Sequence, residues 1–293
     1  MLDQITKYQR SRPPSDVRFS VLIPTWNNLP YLQLCIRSIQ SHSTLPIQII
    51  VIVNEGKDGT LEWLRDETDF DFVHAQQNVG ICFGLNAARS LVISDYIIYI
   101  NDDMYVLPDW DGKMWINIQS LGTKMFMLSS TMIEPTTNGN KCTVVKDYGR
   151  DIESFKESEL LENYTALYRD DWSGSTWPPN VIHVDMWDLV GGFSIEFSPG
   201  MYSDPDLSMK LYKAGVRHFK GIGDSLVYHF GSRSTKRVRK NLGRKTFLFK
   251  WGITSRTFTT LFLKTGQKYE GALTTPKLAI STKWINRLKR VLE

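Results

Sequence analysis

Cysteine is scarce: the 293 residues hold three, Cys35, Cys82 and Cys142. An odd number without metal-knuckle spacing excludes a disulfide framework and a structural zinc site, and fits buried reduced thiols in a cytoplasmic protein. Long apolar runs are missing too. The longest, Ile47 to Val53, is strand-sized and well short of a membrane span. The opening MLDQITKYQRSRPP carries no apolar stretch, so no signal peptide is read there. Two phosphate-binding signatures are absent as well. No Gly-x-Gly-x-x-Gly follows the first apolar run, and no Gly-x-x-x-x-Gly-Lys-Ser/Thr occurs. A dinucleotide dehydrogenase and a P-loop enzyme thereby lose their main support. There is no internal repeat and no low-complexity tract.

What is present alternates. Phe19 to Pro24, Ile47 to Val53, Phe70 to His74 and Tyr96 to Ile100 read as strands, mostly apolar and without strict alternation. Between them, Leu29 to Ser41, Thr60 to Arg65 and Gly80 to Val92 read as helices, the first with Leu32, Cys35, Ile36 and Ile39 on one face. Buried strands separated by helices predict an α/β fold: a Rossmann-like, mostly parallel sheet with helices on both faces. Beyond Pro108 a helix over Trp110 to Leu121 and a strand over Met125 to Met132 are expected, followed by a polar loop region at 134–180. A strand from Ser225 to Tyr228 closes the pattern, and past Gly231 the chain is basic and helical in pieces. The organisation read from this is a lead-in at 1–17, a catalytic domain at 18–231 (halves 18–107 and 108–231) and a basic C-terminal extension at 232–293.

Charge is divided along the chain. Residues 215–293 carry 18 Lys and Arg against 3 Asp and Glu, whereas the remainder holds 17 basic and 28 acidic residues. The acidic part is where metal chemistry is sought, the basic part where an anionic partner is. Ligands of open parallel sheets bind beyond the carboxyl ends of the strands. Those ends here are polar: Pro24-Thr25-Trp26-Asn27-Asn28, Asn54-Glu55-Gly56-Lys57-Asp58-Gly59 and Asn101-Asp102-Asp103. Asn27, Asn28 and Asp58 divide evenly between turn capping and ligand contact. Asp102 and Asp103 are different, because adjacent carboxylates repel unless a cation lies beside them.

Six segments in order, SVLIPTWNN, NEGKDGT, QNVGICFGLNAA, YIIYINDDM, VGGFSIEFSPGMYSDPDLSMKL and VYHFGSRS, resemble the family 2 glycosyltransferases of the GT-A fold over residues 18–231. The resemblance implies a metal-dependent, inverting transfer of a sugar from a nucleotide-diphosphate donor to a hydroxyl on a glycan or lipid-linked acceptor. It implies that Pro24 and Thr25 line the nucleoside pocket and that Asn54 faces the base. Asn78, Gly80 and Asn86 would shape the floor of the donor site, with Asp102 on the ribose. Asp103 would bind a divalent cation, Mn²⁺ or Mg²⁺, joined by His229, and Asp204 would act as general base. The chain departs from the usual pattern at Val53, ahead of Asn54, and at Ser203, where relatives often have Glu.

Local chemistry refines three of these expectations. Pro205 disfavours helical geometry at Asp204, so a helix is predicted to begin at Pro205 or after it, leaving Asp204 on the loop side and Asp206 in the first turn. Trp172 and Trp177, in WSGSTWPP, are candidates for excluding water. Thr235 to Lys245 holds six basic residues and no acidic one, and Trp284, Ile285, Leu288 and Leu292 recur at helical spacing beside Lys283, Arg287, Lys289 and Arg290. Such a helix either docks on the domain or lies peripherally on an anionic membrane, at the inner face for a cytoplasmic enzyme. Two alternatives compete. A nucleotidyltransferase on a similar sheet wants a basic loop after the first strand, and PTWNNLPYL has no basic residue. A nucleic-acid-binding protein would use the basic run but leaves the Asp pair without a role, so no nucleic acid is expected.

Overall fold

A computed structural model describes residues 5–10, 16–137, 139–231 and 241–292. Its frame is the predicted alternation. Strand β1 (Ile5–Tyr8) precedes β2 (Phe19–Trp26), α1 (Leu29–His42), β3 (Ile47–Asn54), α2 (Thr60–Asp66), β4 (Asp71–Ala75), α3 (Gly80–Ala88) and β5 (Tyr96–Tyr99). Strands β4, β3, β2 and β5 lie side by side and parallel. Within β2 successive residues face opposite ways, as the pleat requires. Val21 and Ile23 pack with Leu32, Cys35 and Ile36 of α1, while Leu22 packs with Cys82 and Leu85 of α3. Both faces are covered, which is why these strands read as mostly apolar, without strict alternation.

The second half continues with β6 (Met104–Val106), α4 (Trp110–Leu121), β7 (Phe126–Glu134), β8 (Val144–Val145), α5 (Glu157–Asn163), β9 (Trp172–Ser173), β10 (Asn180–His183), α6 (Val184–Val190), α7 (Ser203–Lys213) and β11 (His218–His229). All described strands join one sheet in the order β1-β4-β3-β2-β5-β10-β7-β11-β6, with β8 beside β7 and β9 beside β11. This half is mixed: β10 runs antiparallel to both β5 and β7, β11 parallel to β7 and antiparallel to β6.

Several local expectations change. Residues Ile5–Tyr8, within the expected lead-in, form an edge strand antiparallel to β4. The polar stretch at 134–180 is not a plain loop, since it holds β8, α5, a 3-10 turn and β9. Helix α7 begins at Ser203 rather than at Pro205, with Tyr202 as its cap at φ 70°. The reason is that Pro205 falls in the first turn, where a missing N–H costs nothing. The first α-helical bond is Asp206 N to Tyr202 O at 3.2 Å, one residue past the proline. Trp172 is no lid: it is 3% exposed, its Nε1 donates to Thr131 Oγ1 at 2.8 Å, and its ring lies flat on Gly221, where any side chain would collide with it.

After β11 come α8 (Gly243–Trp251), α9 (Ser255–Thr257) leading into a π-helical turn, and α10 (Ile280–Leu292). The basic run Thr235–Lys245 lies partly outside the described residues. Among the described residues no helix is long and apolar enough to cross a membrane. The three cysteines are buried and unpaired.

Candidate active site

Strand order reverses between β2 and β5, with β3 on one side of β2 and β5 on the other. That crevice at the carboxyl edge is where open α/β sheets bind ligands. Pro24 and Thr25 close β2 there, and the Thr25 hydroxyl donates to Asp102 Oδ2 at 2.7 Å, tying the two strand ends together. Asp102 and Asp103 lie just past β5, beyond Ile100 and Asn101, and are 5% and 4% exposed.

Register explains the next contact. In β11, His229 pairs with Met104, which neighbours Asp103, and Tyr228 pairs with Ile133, which neighbours Glu134. One imidazole thus lies between two carboxylates, Nε2 3.5 Å from Asp103 Oδ1 and Nδ1 2.9 Å from Glu134 Oε1. Burial works against protonating His229, but Asp103 and Glu134 outweigh it and raise its pKa to about 10. The protonated ring thus places positive charge between the two carboxylates. A carboxylate oxygen and an imidazole whose far nitrogen is fixed by a second carboxylate form a donor set suited to a divalent cation. Glu134 is spent on orienting the ring, and among the described residues no group of three or more His, Cys, Asp and Glu is arranged to hold a metal alone.

The amides expected around the donor site, Asn54 at the base and Asn78 and Asn86 at the floor, each grip backbone. Asn54, 3% exposed, accepts from Val79 N at 3.0 Å, and Asn78 accepts from Gly80 N at 2.9 Å. Asn86 makes a reciprocal pair with Phe193, Nδ2 to O at 2.7 Å and N to Oδ1 at 2.8 Å. Gly80 has φ 78°, and a Cβ there would sit 2.5 Å from Pro199 Cα. Only glycine allows that approach, and Ile81 N then donates to Pro199 O at 2.9 Å. Asn27 and Asp58 are engaged within the protein. Asn27 bridges Glu55 and Lys57 N, while Asp58 receives Leu29 N at the start of α1 and Thr60 at the start of α2.

The two acids of α7 have separate environments. Asp206 is fully buried and paired, with Trp251 Nε1 at 2.8 Å from Oδ1 and Lys250 Nζ at 3.0 Å. Asp204 keeps a solvent-facing edge, but its Oδ1 is buried and has no hydrogen-bond partner among the described residues. Burial alone pushes its pKa up to about 7, so near neutral pH it can take up and release a proton. Its charge also helps raise the Tyr99 hydroxyl, after burial itself, which sets Asp204 close to the end of β5.

Glu134 and Asn180 were not singled out in the sequence. Asn180 pairs with Tyr99 across β10 and β5, so the two side chains share a face. Its Nδ2, like that of Asn28, is buried without a partner among the described residues. Glu134 had one signal, a charge ending a nine-residue buried strand. Asn180 had none. A cleft of about 380 Å³ lies away from these groups, between α8 and α10.

The model of the family described as glycosyl transferase family 2 matches residues 20–166, which include Thr25, Asp102, Asp103 and Glu134. Among solved structures, residues 1–349 of S. aureus TarS superpose with a TM-score of 0.56 at 14% identity, covering 80% of this chain and 65% of that one. The Pyrobaculum calidifontis mannosyltransferase PcManGT, solved with GDP-Man and Mn²⁺, gives 0.52 at 15% identity over 84% and 69%. GalNAc-T7 with UDP, GalNAc and Mn²⁺ gives 0.57 at 13% identity over 94% and 55%. At such identities the likeness establishes the fold, and the chain spans less than two thirds of the TarS and GalNAc-T7 chains. No curated protein is similar enough in sequence to count as a relative.

Proposed function

The chain belongs to glycosyl transferase family 2, and from that premise we propose that it moves a sugar from a nucleoside-diphosphate donor onto an acceptor hydroxyl with inversion. The observation that carries the reading is the pairing of two opposed environments at one sheet edge. One is a buried cluster of Asp102, Asp103 and His229, whose carboxylate and imidazole atoms are of the kinds that bind a divalent cation. The other is a lone buried carboxylate, Asp204 Oδ1, with no partner of its own among the described residues and a pKa of about 7.

Each need of the reaction has a group to meet it. Asp103 and His229 would hold Mn²⁺ or Mg²⁺, and a bound cation would neutralise charge on the leaving diphosphate as a Lewis acid. Glu134 keeps the His229 ring turned toward Asp103. Thr25 holds Asp102 in position for the ribose, Pro24 and Thr25 line the nucleoside pocket with Asn54 toward the base, and Asn78, Gly80 and Asn86 shape the floor on which the donor rests. Asp204 removes the acceptor proton as the oxygen attacks. One base, with no second carboxylate nucleophile beside it among the described residues, gives a single displacement, hence inversion. The unpartnered Nδ2 of Asn180 is supplied with a hydroxyl of the sugar as its acceptor. The acceptor substrate is a glycan or a lipid-linked hydroxyl.

Donor binding to the native state raises the melting temperature. UDP-, GDP-, dTDP- and CDP-sugars are therefore screened with Mn²⁺ and with Mg²⁺. The UDP and GDP sugars come first because the structural neighbours were solved with UDP-GlcNAc and GDP-Man. One donor is expected to stabilise the protein only in the presence of metal. No shift with any of them would overturn the proposal.

A further inference from the structure

Helix α10 is docked the wrong way round for a helix that completes a core. Its one buried side chain is Asn286, 2% exposed, whose Oδ1 accepts from Thr254 N at 3.1 Å and from Thr257 Oγ1 at 3.2 Å. The polar side, with Lys283, Arg287 and Arg290, borders the cleft of about 380 Å³ against Phe249 of α8, and Val291 at the edge of the apolar side reaches its rim. The apolar side faces outward. Ile280, Trp284, Ile285, Leu288, Val291 and Leu292 are all between 53% and 78% exposed. At 3.6 residues per turn these six fall within an arc of about 140°, interrupted only by Ser281. Arg287 and Lys289 flank the arc on its two sides.

Burying large apolar groups drives association, so a continuous exposed stripe of this kind marks a contact surface. Charge decides what it contacts. Residues 241–292 hold 11 Lys and Arg against a single acid, Glu270. A second copy would bring the same basic surface against itself. An anionic lipid surface is complementary, taking the apolar stripe among its acyl chains while Arg287 and Lys289 reach the headgroups. The helix is 13 residues long, too short to cross a bilayer and suited to lying in its interface.

We propose that α10 is an interfacial helix through which the protein docks on anionic membranes, its polar face on the protein and its apolar face in the lipid. The inference does not depend on the sugar-transfer reading. It is tested by flotation of the full chain with phosphatidylcholine vesicles and with vesicles containing phosphatidylglycerol. The protein is expected to float with the anionic vesicles at low salt and to remain behind with the neutral ones. Trp284→Ser with Leu288→Ser is expected to abolish flotation while leaving the melting temperature unchanged, because both side chains are already in solvent. Failure to float with anionic vesicles, or equal flotation of the double variant, overturns the proposal. So does a dimer in sedimentation velocity that the same two substitutions dissolve, which would make the stripe a contact between copies. Donor-induced thermal shifts, measured in parallel, test the sugar-transfer reading separately.

Discussion

Replacing Asp204 by Asn should cost activity and repay stability, and the two effects share one cause. A carboxyl with an ordinary pKa near 3.8 stands at about 7 in the fold because burial penalises its charged form. The native state therefore holds this proton more tightly than the unfolded chain does. As pH rises past 3.8 the unfolded chain ionises first, native stability falls until pH reaches about 7, and above that the deficit is constant. At 1.36 kcal/mol per pH unit the ceiling is about 4 kcal/mol. Solvent at the edge of the residue lowers the expected figure to about 2 kcal/mol. Asp204→Asn removes the charge without changing the shape. Urea unfolding should show the variant more stable than the wild type by about 2 kcal/mol at pH 8, with the gap narrowing toward pH 5. Transfer should fall by roughly a hundredfold or more, with donor and metal affinity close to normal. The wild-type rate should decline below about pH 7 as the base is protonated. Full activity in the variant, or a stability difference independent of pH, would refute the reasoning.

Asp206→Ala should behave in the opposite sense, losing about 3 kcal/mol because Lys250 and Trp251 are left without their buried partner; a melting temperature unchanged from wild type contradicts this. Excess EDTA should abolish transfer, and Asp103→Ala should lose donor binding with a normal circular dichroism spectrum; undiminished activity in chelator sinks the metal assignment. Gly80→Ala should cost about 1–3 kcal/mol through φ strain and collision with Pro199, which thermal unfolding measures, and a silent substitution disproves the close packing. Asn180→Ala should raise KM for one of the sugar substrates by about tenfold at no cost in stability, since its buried Nδ2 has no partner to lose; unaltered kinetics rule it out as a sugar contact.

Legibility in the sequence followed how local each feature is. Strands β2 and β3 are plain because both faces are covered, and the two polar residues inside them, Ser20 and Gln48, are buried against each other by a hydrogen bond. Asp102 and Asp103 stood out because a carboxylate pair just after such a strand has few structural uses. Strand β1 was missed because it is a half-exposed edge strand whose Thr6 and Lys7 point to solvent. The start of α7 departs from the sequence expectation because a first turn tolerates proline, and this outweighs the restriction Pro205 puts on Asp204. Glu134 and Asn180 owe their positions to pairing of β7 with β11 and of β10 with β5, partners distant in the chain, and no local pattern reports such register. The orientation of α10 was left open between two faces, and one buried amide, Asn286, decides it.

The reciprocal Asn86–Phe193 bonds and the Ile81–Pro199 bond join segments more than a hundred residues apart. Amide protons at Ile81 and Phe193 are each held by an acceptor from the opposite segment. Fraying of either segment alone must break these bonds, yet each segment is pinned by the other and by the sheet beneath. Their hydrogen exchange is therefore expected to approach the free energy of global unfolding, with loops around the crevice exchanging through smaller openings. These two amides serve as internal clocks for the stability of the whole molecule, against which any ligand-induced tightening of the loops can be read.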